Sequence, residues 1–280
     1  MQICSSIESM RTLIHEWKSS GQTVGFVPTM GNLHEGHLTL VEEANKRADR
    51  VVVSIFVNPM QFGENEDFDS YPRTQDDDIQ KLKTLSTDAV FIPSAKEIYP
   101  EKIDQACFVE VPELSTILCG ASRPGHFRGV TTVVNKLFNI VQPDCAVFGL
   151  KDYQQFIIIK KMVDDLKMPV QMIGVETVRE SDGLAKSSRN GYLNQQQRQQ
   201  AATIYEILRS IKTEIQQGRK DYLALEKEGL GQLEKVGFKP DYVAIRCAES
   251  LQVPAAETRT LAILVAAWLG NTRLIDNIRL

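Results

Sequence analysis

Two histidines, His34 and His37, stand three residues apart in the stretch VGFVPTMGNLHEGHLTL, residues 24–40. At the start of a helix, positions i and i+3 share a face, so both imidazoles can address one ligand. They account for half of the chain's four histidines. The apolar run before them, residues 24–27, reads as a buried strand. Pro28, Gly31 and Asn32 break it, and the pattern turns helical from Gly36. A strand, a glycine turn and a helix start together form an anion-binding corner. Glycine lets a ligand approach the backbone, and free N–H groups at a helix start attract negative charge. The same spacing also fits one histidine that caps or packs beside one that is solvated, and a short motif alone does not choose between them.

Two further polar segments carry chemistry: the turn Gly149, Leu150, Lys151, Asp152 running on to Gln155, and the run Lys186, Ser187, Ser188, Arg189. Each follows an apolar run, and in an open parallel sheet the loops at strand carboxyl ends converge over one crevice. Imidazoles, lysines, an arginine and hydroxyls gathered at a helix start suit a polyphosphate. Its transfer is catalysed by positioning and by neutralising charge on phosphate oxygens. His34 and His37 can donate to the phosphate under attack. Lys151 and Lys186 can hold a leaving pyrophosphate as point charges, with Ser187, Ser188 and Arg189 adding directed donors. Gln61 and Gln155, each in a strand-end loop, are amides able to bind a substrate bearing hydroxyl and carboxylate groups. Taken singly, a loop glutamine is more often solvated and KSSRN more often a helix cap or turn. Convergence of the three segments favours adenylyl transfer. No GxxxxGK[ST] is present, no strand leads into GxGxxG, and no serine or cysteine nucleophile stands out.

The elements that must position these residues follow from periodicity. Residues 9–19 carry Met10, Leu13, Ile14 and Trp17 at helical spacing, with Gly21 as the stop. Residues 38–47 continue the helix that His37 begins, with Leu38, Val41 and Ala44 inward. RVVVSIFVN, residues 50–58, is nearly continuously apolar, as in a strand covered on both faces, and a long polar excursion over 60–74 follows it. Asp76, Asp77 and Asp78 fall in the first turn of the next helix, where carboxylates oppose the helix dipole; metal binding by Asp77 and Asp78 is possible but unforced. A strand over 88–93 completes β-α-β-α-β. CFVEV (107–111) reads as a short strand, RPGHFRG (123–129) as a basic glycine-rich loop, and 131–141 as a helix with Val134, Leu137, Phe138 and Val141 inward. Strands over 144–149 and 169–178 flank a helix over 156–166. Beyond Leu193 the pattern changes to one long helix over 194–218, a second over 222–236, and strands over 241–246, 261–268 and 274–280. The fold class is therefore α/β, a doubly wound parallel sheet in residues 1–177, followed by a smaller α+β domain in 178–280 with two helices and an antiparallel sheet.

At 280 residues the chain is long for one core. A net charge of −4 argues against a general nucleic-acid surface. The longest apolar run, residues 261–269, is too short to span a bilayer, and no secretory signal is visible. Cys4, Cys107, Cys119, Cys145 and Cys247 are scattered, odd in number and without CxxC spacing. They read as reduced thiols of a cytosolic protein, with no zinc site.

PTMGNLHEGH looks like the HIGH-type nucleotide motif of the nucleotidylyltransferase superfamily. Together with FVNPMQF, YPRT, RPGHFRGVTTVV, FGLKDYQQ and SSRNGYL in this order, the chain closely resembles the pantoate–β-alanine ligase family, densely over 24–193 and more weakly beyond. The resemblance implies a Rossmann-like sheet domain with a smaller C-terminal domain closing over the site. It also implies ATP-dependent condensation of pantoate with β-alanine through a pantoyl adenylate, releasing AMP and pyrophosphate. Carried over by motif, Met30, Gly31, Asn32, Leu33, His34, Glu35, Gly36 and His37 form the ATP corner, with His37 catalytic and His34 assisting. Gln61 and Gln155 bind pantoate, Gln61 lying also near the β-alanine position. Gly149, Leu150, Lys151 and Asp152 contact the ribose and adenosine side, Val178 the adenine, and Lys186, Ser187, Ser188 and Arg189 the phosphates. The family further implies Mg²⁺ held largely by the phosphates, with Asp77 and Asp78 as candidates near it, and a homodimer. The chain departs from the family at Leu150, usually Glu, and at Lys186, usually Met. The added charge of Lys186 makes its segment look like the KMSKS loop of related enzymes, so contact with the β- and γ-phosphates is expected of it. Two alternatives remain open: a nucleotidyltransferase that releases an adenylated product, and a non-catalytic nucleotide sensor.

Overall fold

Strands whose side chains are apolar on both faces need helices on both faces, and the first part of the chain meets that need with six parallel strands. The computed structural model describes residues 1–63 and 66–280; Glu64 and Asn65 of the expected polar excursion lie outside the described residues. The chain forms two compact units, one of residues 1–150 and 158–176, the other of residues 151–157 and 177–280.

In the first unit the elements run β1 (Gln2–Cys4), α1 (Ile7–Ser19), β2 (Val24–Thr29), α2 (Glu35–Asn45), β3 (Arg50–Ile55), α3 (Gln75–Lys83), β4 (Ala89–Phe91), α4 (Ala95–Ile98), α5 (Cys119–Ser122), α6 (His126–Val141) and β5 (Cys145–Gly149). After α7 (Tyr153–Asp165), which the unit boundary divides, β6 (Gln171–Val175) closes the sheet. The strand order is β1-β4-β3-β2-β5-β6, every pairing parallel. The chain thus winds one way from β2 to β4 and the other way from β5 to β6, placing the topological switch between β2 and β5. Six residues of β2 pair with β3, but only Gly25 and Phe26 pair with β5. The β2–β5 ladder therefore stops short of the carboxyl end of β2, and a crevice opens there. Val27, Val41, Ala44, Val51, Val53, Leu82, Val90 and Val147 form a core beneath the histidine corner.

The second unit continues from α7 with α8 (Gln195–Ala201), α9 (Thr203–Gln216), α10 (Tyr222–Lys235), and the antiparallel sheet β7 (Lys239–Cys247), β8 (Leu261–Leu269), β9 (Thr272–Arg279). Ile204, Leu208, Ile211, Leu225 and Leu233 pack against Ile245, Ile263 and Val265, a separate core.

Several boundaries differ from those the sequence predicts. Residues 107–111 form no strand. The Val109 N–H donates to Thr132 Oγ1 at 3.0 Å and its carbonyl accepts from Thr131 Oγ1 at 2.5 Å, so threonines of α6 satisfy the backbone that a neighbouring strand would have served. The basic loop 123–129 is in part helix: Gly125 takes φ +80° at the N-cap and α6 starts at His126. Helix α7 likewise begins earlier than the apolar spacing indicates, at Tyr153. The expected long helix over 194–218 is two helices meeting at Ala202, the first opened by a reciprocal cap between Asn194 and Gln197. In α2 it is Leu40, with Val41 and Ala44, that is fully buried, while Leu38 is half-buried against the same core. Strand β1, too short to announce itself by periodicity, adds the edge beside β4.

Candidate active site

The histidine corner sits in the switch-point crevice, on the loop leaving β2, and its geometry follows from caps. His34 is the N-cap of α2; its Nδ1 accepts the Gly36 N–H at 3.1 Å, while the His34 N–H donates to His37 Nδ1 at 3.3 Å. Both histidines thus take part in the cap through Nδ1, and neither Nε2 is used in it. A backbone N–H can only donate, so both Nδ1 atoms are acceptors and the neutral rings carry their protons on Nε2. The ring centroids lie 4.1 Å apart. Two imidazoles locked in this tautomer can each present an Nε2–H to an anion.

The backbone of the corner does something other than the sequence predicts. The Gly31 N–H donates to Thr29 Oγ1, those of Asn32 and Leu33 to the carboxylate of Asp78 at 2.8 and 2.7 Å, and that of His37 to the His34 carbonyl. With His34 and Gly36 already used in the caps, the N–H groups of Gly31, Asn32, Leu33, His34, Gly36 and His37 are all engaged within the protein. Asp78 is fully buried and also accepts from Thr74 Oγ1 at 3.3 Å. It is thus a clamp joining α3 to the corner rather than only a first-turn carboxylate, and Lys81 Nζ completes the clamp on the Leu33 carbonyl at 2.7 Å. Gly31 has φ +82°, and a Cβ there would stand 3.1 Å from Asp78 Oδ2 and 3.0 Å from Ile55, so the turn is closed to other residues.

Gln61 shares this unit with the corner and touches it: its Nε2 lies 3.0 Å from the sulfur of Met30. It ends a short 3₁₀ turn, Pro59–Gln61, at the close of β3. Its amide is oriented by a buried chain of donors. Tyr99 Oη donates to Asn58 Oδ1 at 2.8 Å, and Asn58 Nδ2 donates to Gln61 Oε1 at 3.1 Å and to the Gly129 carbonyl at 3.1 Å. Burial pushes the Tyr99 phenol well above its usual pKa, so it remains a donor. Gln61 therefore directs its NH₂ toward the corner. The sequence pattern assigns Asn58 no role; its position before Pro59 in FVNPMQF is the available signal. Gly129 makes the packing possible, since a Cβ there would fall 2.4 Å from the Met60 carbonyl oxygen.

Gly149 closes β5, and Leu150 is buried with its methyl groups against Gly174 of β6, where a Cβ would come within 2.6 Å. An aliphatic side chain suits this place at the first departure from the family pattern.

Lys151, Asp152, Gln155, Val178, Lys186, Ser187, Ser188 and Arg189 belong to the second unit. Lys151 and Asp152 are half-buried in a 3₁₀ turn, with the Lys151 carbonyl held by Asn277 Nδ2 at 2.9 Å; Gln155 is half-buried in the first turn of α7. The segment before Lys186 is a tight loop closed by an Arg179–Ala185 bridge and tied to β9 by a two-pronged Arg179–Asp276 pair at 2.6 and 3.0 Å. The Lys186 N–H donates to the Val178 carbonyl at 2.9 Å, and its ammonium lies 3.3 Å from Glu180 Oε2. Ser187 caps the following 3₁₀ turn through the Arg189 N–H, so the turn reading of KSSRN also describes its local structure.

The described residues form no group of three or more histidine, cysteine or acidic side chains able to hold a metal. Asp77 is exposed, and the Asp78 carboxylate is taken by backbone donors. Among the described residues the cysteines form no disulfide, and no helix is long and apolar enough to cross a membrane.

Comparison with known proteins matches residues 2–279 to the family model described as pantoate-beta-alanine ligase. A pantothenate synthetase of Shewanella loihica is 54% identical over 278 residues, 99% of this chain and 98% of that one. Among solved structures, a pantothenate synthetase from Thermus thermophilus is similar with TM-score 0.92 and 42% identity, covering 99% of both chains. A pantoate-beta-alanine ligase from Francisella tularensis, complexed with beta-gamma ATP and beta-alanine, is similar with TM-score 0.84 and 37% identity over 99% of this chain and 97% of that one. With the model matched end to end and relatives above half identity, the chain belongs to the pantoate–β-alanine ligase family.

Proposed function

We propose that the protein condenses pantoate with β-alanine at the expense of ATP, through a pantoyl adenylate. The observation that carries this reading is the pair of cap-locked imidazoles with the Gln61 amide seated against Met30 of the same loop. In the first step a carboxylate oxygen of pantoate bonds to the α-phosphorus of ATP, the bond from that phosphorus to the bridging oxygen breaks, and pyrophosphate leaves. His37, with His34 beside it, donates Nε2–H to the phosphate on which charge builds. Gln61 and Gln155 hold pantoate by hydrogen bonds. In the second step the amine of β-alanine bonds to the acyl carbon and loses a proton, and the acyl C–O bond breaks to release AMP. A carboxylate is a poor acyl donor because its leaving group would be oxide; adenylation makes the leaving group AMP.

The residues of the second unit enter by their chemistry. Lys151 and Lys186 serve as point charges for the leaving pyrophosphate, Ser187, Ser188 and Arg189 as directed donors, Asp152 with Gly149 and Leu150 on the ribose side, and Val178 at the adenine. Mg²⁺ enters as the counter-ion of the nucleotide's phosphates. A homodimer and a cytosolic location belong to the same proposal; sedimentation velocity tests the first.

The test of the intermediate is an oxygen label. With pantoate carrying ¹⁸O in its carboxylate, one labelled oxygen is expected in each AMP released, and AMP is expected only when pantoate, β-alanine and ATP are all present. Label expelled in pyrophosphate, phosphate or water, with none in AMP, would refute the adenylate. Release of a stable adenylated product without β-alanine would favour a nucleotidyltransferase.

A further inference from the structure

The motif RPGHFRG marks the family resemblance, yet its polar side chains have no part in the reaction described above. Two of them meet the carbonyl of Gln61 through a short chain of contacts, all within the first unit. The guanidinium of Arg123 grips Glu66 with both prongs, Nε to Oε1 at 2.6 Å and Nη2 to Oε2 at 2.5 Å. Its Nη1 lies 2.9 Å from His126 Nε2, and His126 Nδ1 lies 2.8 Å from the main-chain oxygen of Gln61. Arginine cannot accept a hydrogen bond, so it donates and His126 Nε2 accepts. The ring proton is therefore on Nδ1, where it donates to the Gln61 carbonyl. Glu66 fixes Arg123, Arg123 fixes the tautomer of His126, and His126 holds the backbone of Gln61.

We infer that Arg123 and His126 are positioning residues that set Gln61 for the carboxylate- and hydroxyl-bearing substrate. Gln61 is then held from two sides: Asn58 orients its side-chain amide and His126 anchors its main chain. A carbonyl at the end of a three-residue 3₁₀ turn has no regular helix to hold it, so an external donor decides where the Gln61 Cα sits. A 1 Å error at that Cα is carried to the amide, and hydrogen bonds weaken steeply with such misalignment. His126 is the first residue of α6, entered through the left-handed Gly125, and from there it reaches the Gln61 carbonyl. A purely structural glue would serve stability alone, whereas this relay ends on one substrate's ligand and not on the histidine pair.

The inference rests on the reading of Gln61 as a pantoate ligand, and the experiment separates the two. His126→Asn keeps an amide donor at the Nδ1 position, whereas His126→Gln keeps an acceptor for Arg123 at the Nε2 position and loses the donor to Gln61. Steady-state AMP formation is measured for both variants with pantoate and ATP varied in turn, alongside Gln61→Ala and thermal melting. His126→Gln is expected to raise the KM for pantoate about fivefold, the worth of one neutral hydrogen bond, with the KM for ATP changed less than twofold. His126→Asn is expected to recover most of the pantoate KM. Equal pantoate KM values in the Asn and Gln variants would overturn the relay, as would parallel rises in the KM of pantoate and ATP. A raised pantoate KM in Gln61→Ala beside an unchanged one in His126→Gln would overturn the relay alone. An unchanged pantoate KM in Gln61→Ala would overturn the reading of Gln61 itself, and the relay's purpose with it.

Discussion

Replacing Asp78 by asparagine keeps the shape of the side chain and exchanges one acceptor oxygen for an NH₂ group. In the native protein the two oxygens of Asp78 accept the N–H groups of Asn32 and Leu33 at 2.8 and 2.7 Å in a fully buried setting. After the exchange one of those N–H groups faces another donor. Losing a hydrogen bond to a charged acceptor costs roughly 1.5–3 kcal/mol, and an unsatisfied buried N–H costs about 1–3 kcal/mol. The two overlap, so a net loss of about 2–4 kcal/mol is expected. For a protein of this size that corresponds to a Tm lowered by roughly 5–15 °C. The same change loosens the loop that carries His34 and His37, so kcat/KM for ATP is expected to fall about tenfold. A purely electrostatic view predicts the opposite sign for ATP, because deleting a negative charge beside an anion corner should tighten its binding. Thermal melting followed by circular dichroism, with AMP formation measured at varied ATP, reads both effects. A Tm within 1 °C of the parent together with an unchanged or tighter ATP KM would refute the clamp. Thr74→Ala, which removes only the longer 3.3 Å contact to Asp78, serves as the mild comparison and should cost less than about 1 kcal/mol.

Three further outcomes follow from the same geometry. His37→Asn keeps an acceptor for the His34 N–H but has no Nε2–H, so its melting should stay near the parent's while kcat falls about 100-fold, the roughly 3 kcal/mol that one charge-stabilising donor supplies; undiminished turnover would sink the role given to His37. Lys186→Met, which restores the residue usual in the family, is expected to raise the ATP KM severalfold by removing a point charge, and an unchanged kcat and ATP KM would exclude phosphate contact. Burial raises the pKa of Glu66, but the paired hydrogen bonds and charge of Arg123 outweigh it and hold the carboxyl below its ordinary 4.5. A depressed folded-state pKa contributes stability above the unfolded value and loses it as pH falls through the folded one. Acid titration of Tm should therefore show a loss setting in below about pH 4.5 that Arg123→Met diminishes, and identical acid profiles would contradict it.

Much of the architecture was legible because burial leaves its period in the sequence. The nearly unbroken apolar run of β3, the 3.6-residue spacing of α6 with Val134, Leu137, Phe138 and Val141 inward, and the antiparallel trio at the end of the chain all lie close to where their patterns indicate. What failed to read were segments whose backbone is served by side chains. Residues 107–111 have the composition of a strand, but threonine hydroxyls of α6 take the place of a ladder. The start of α6 was hidden because Gly125 and Pro124 look like a loop until a left-handed N-cap converts them into a helix entry.

The sequence by itself determined the corner: a strand, a glycine turn and two histidines at i and i+3 are local, and local spacing is enough to place both imidazoles at one helix start. It determined too that the last hundred or so residues have their own helices and sheet, because each of those elements is amphipathic in its own right. Only the tertiary structure decided what occupies the backbone of that corner. Asp78 lies 46 residues from Asn32, and nothing in a first-turn triplet of aspartates tells which one turns inward to take two N–H groups. Nor does sequence spacing reveal that His126 holds the carbonyl of Gln61 across 65 residues, or that Gln61 meets Met30. Hydrogen bonds of a few ångströms between distant residues have no periodicity to betray them; they exist because the sheet order brings the ends of β2 and β3 and the start of α6 to one place.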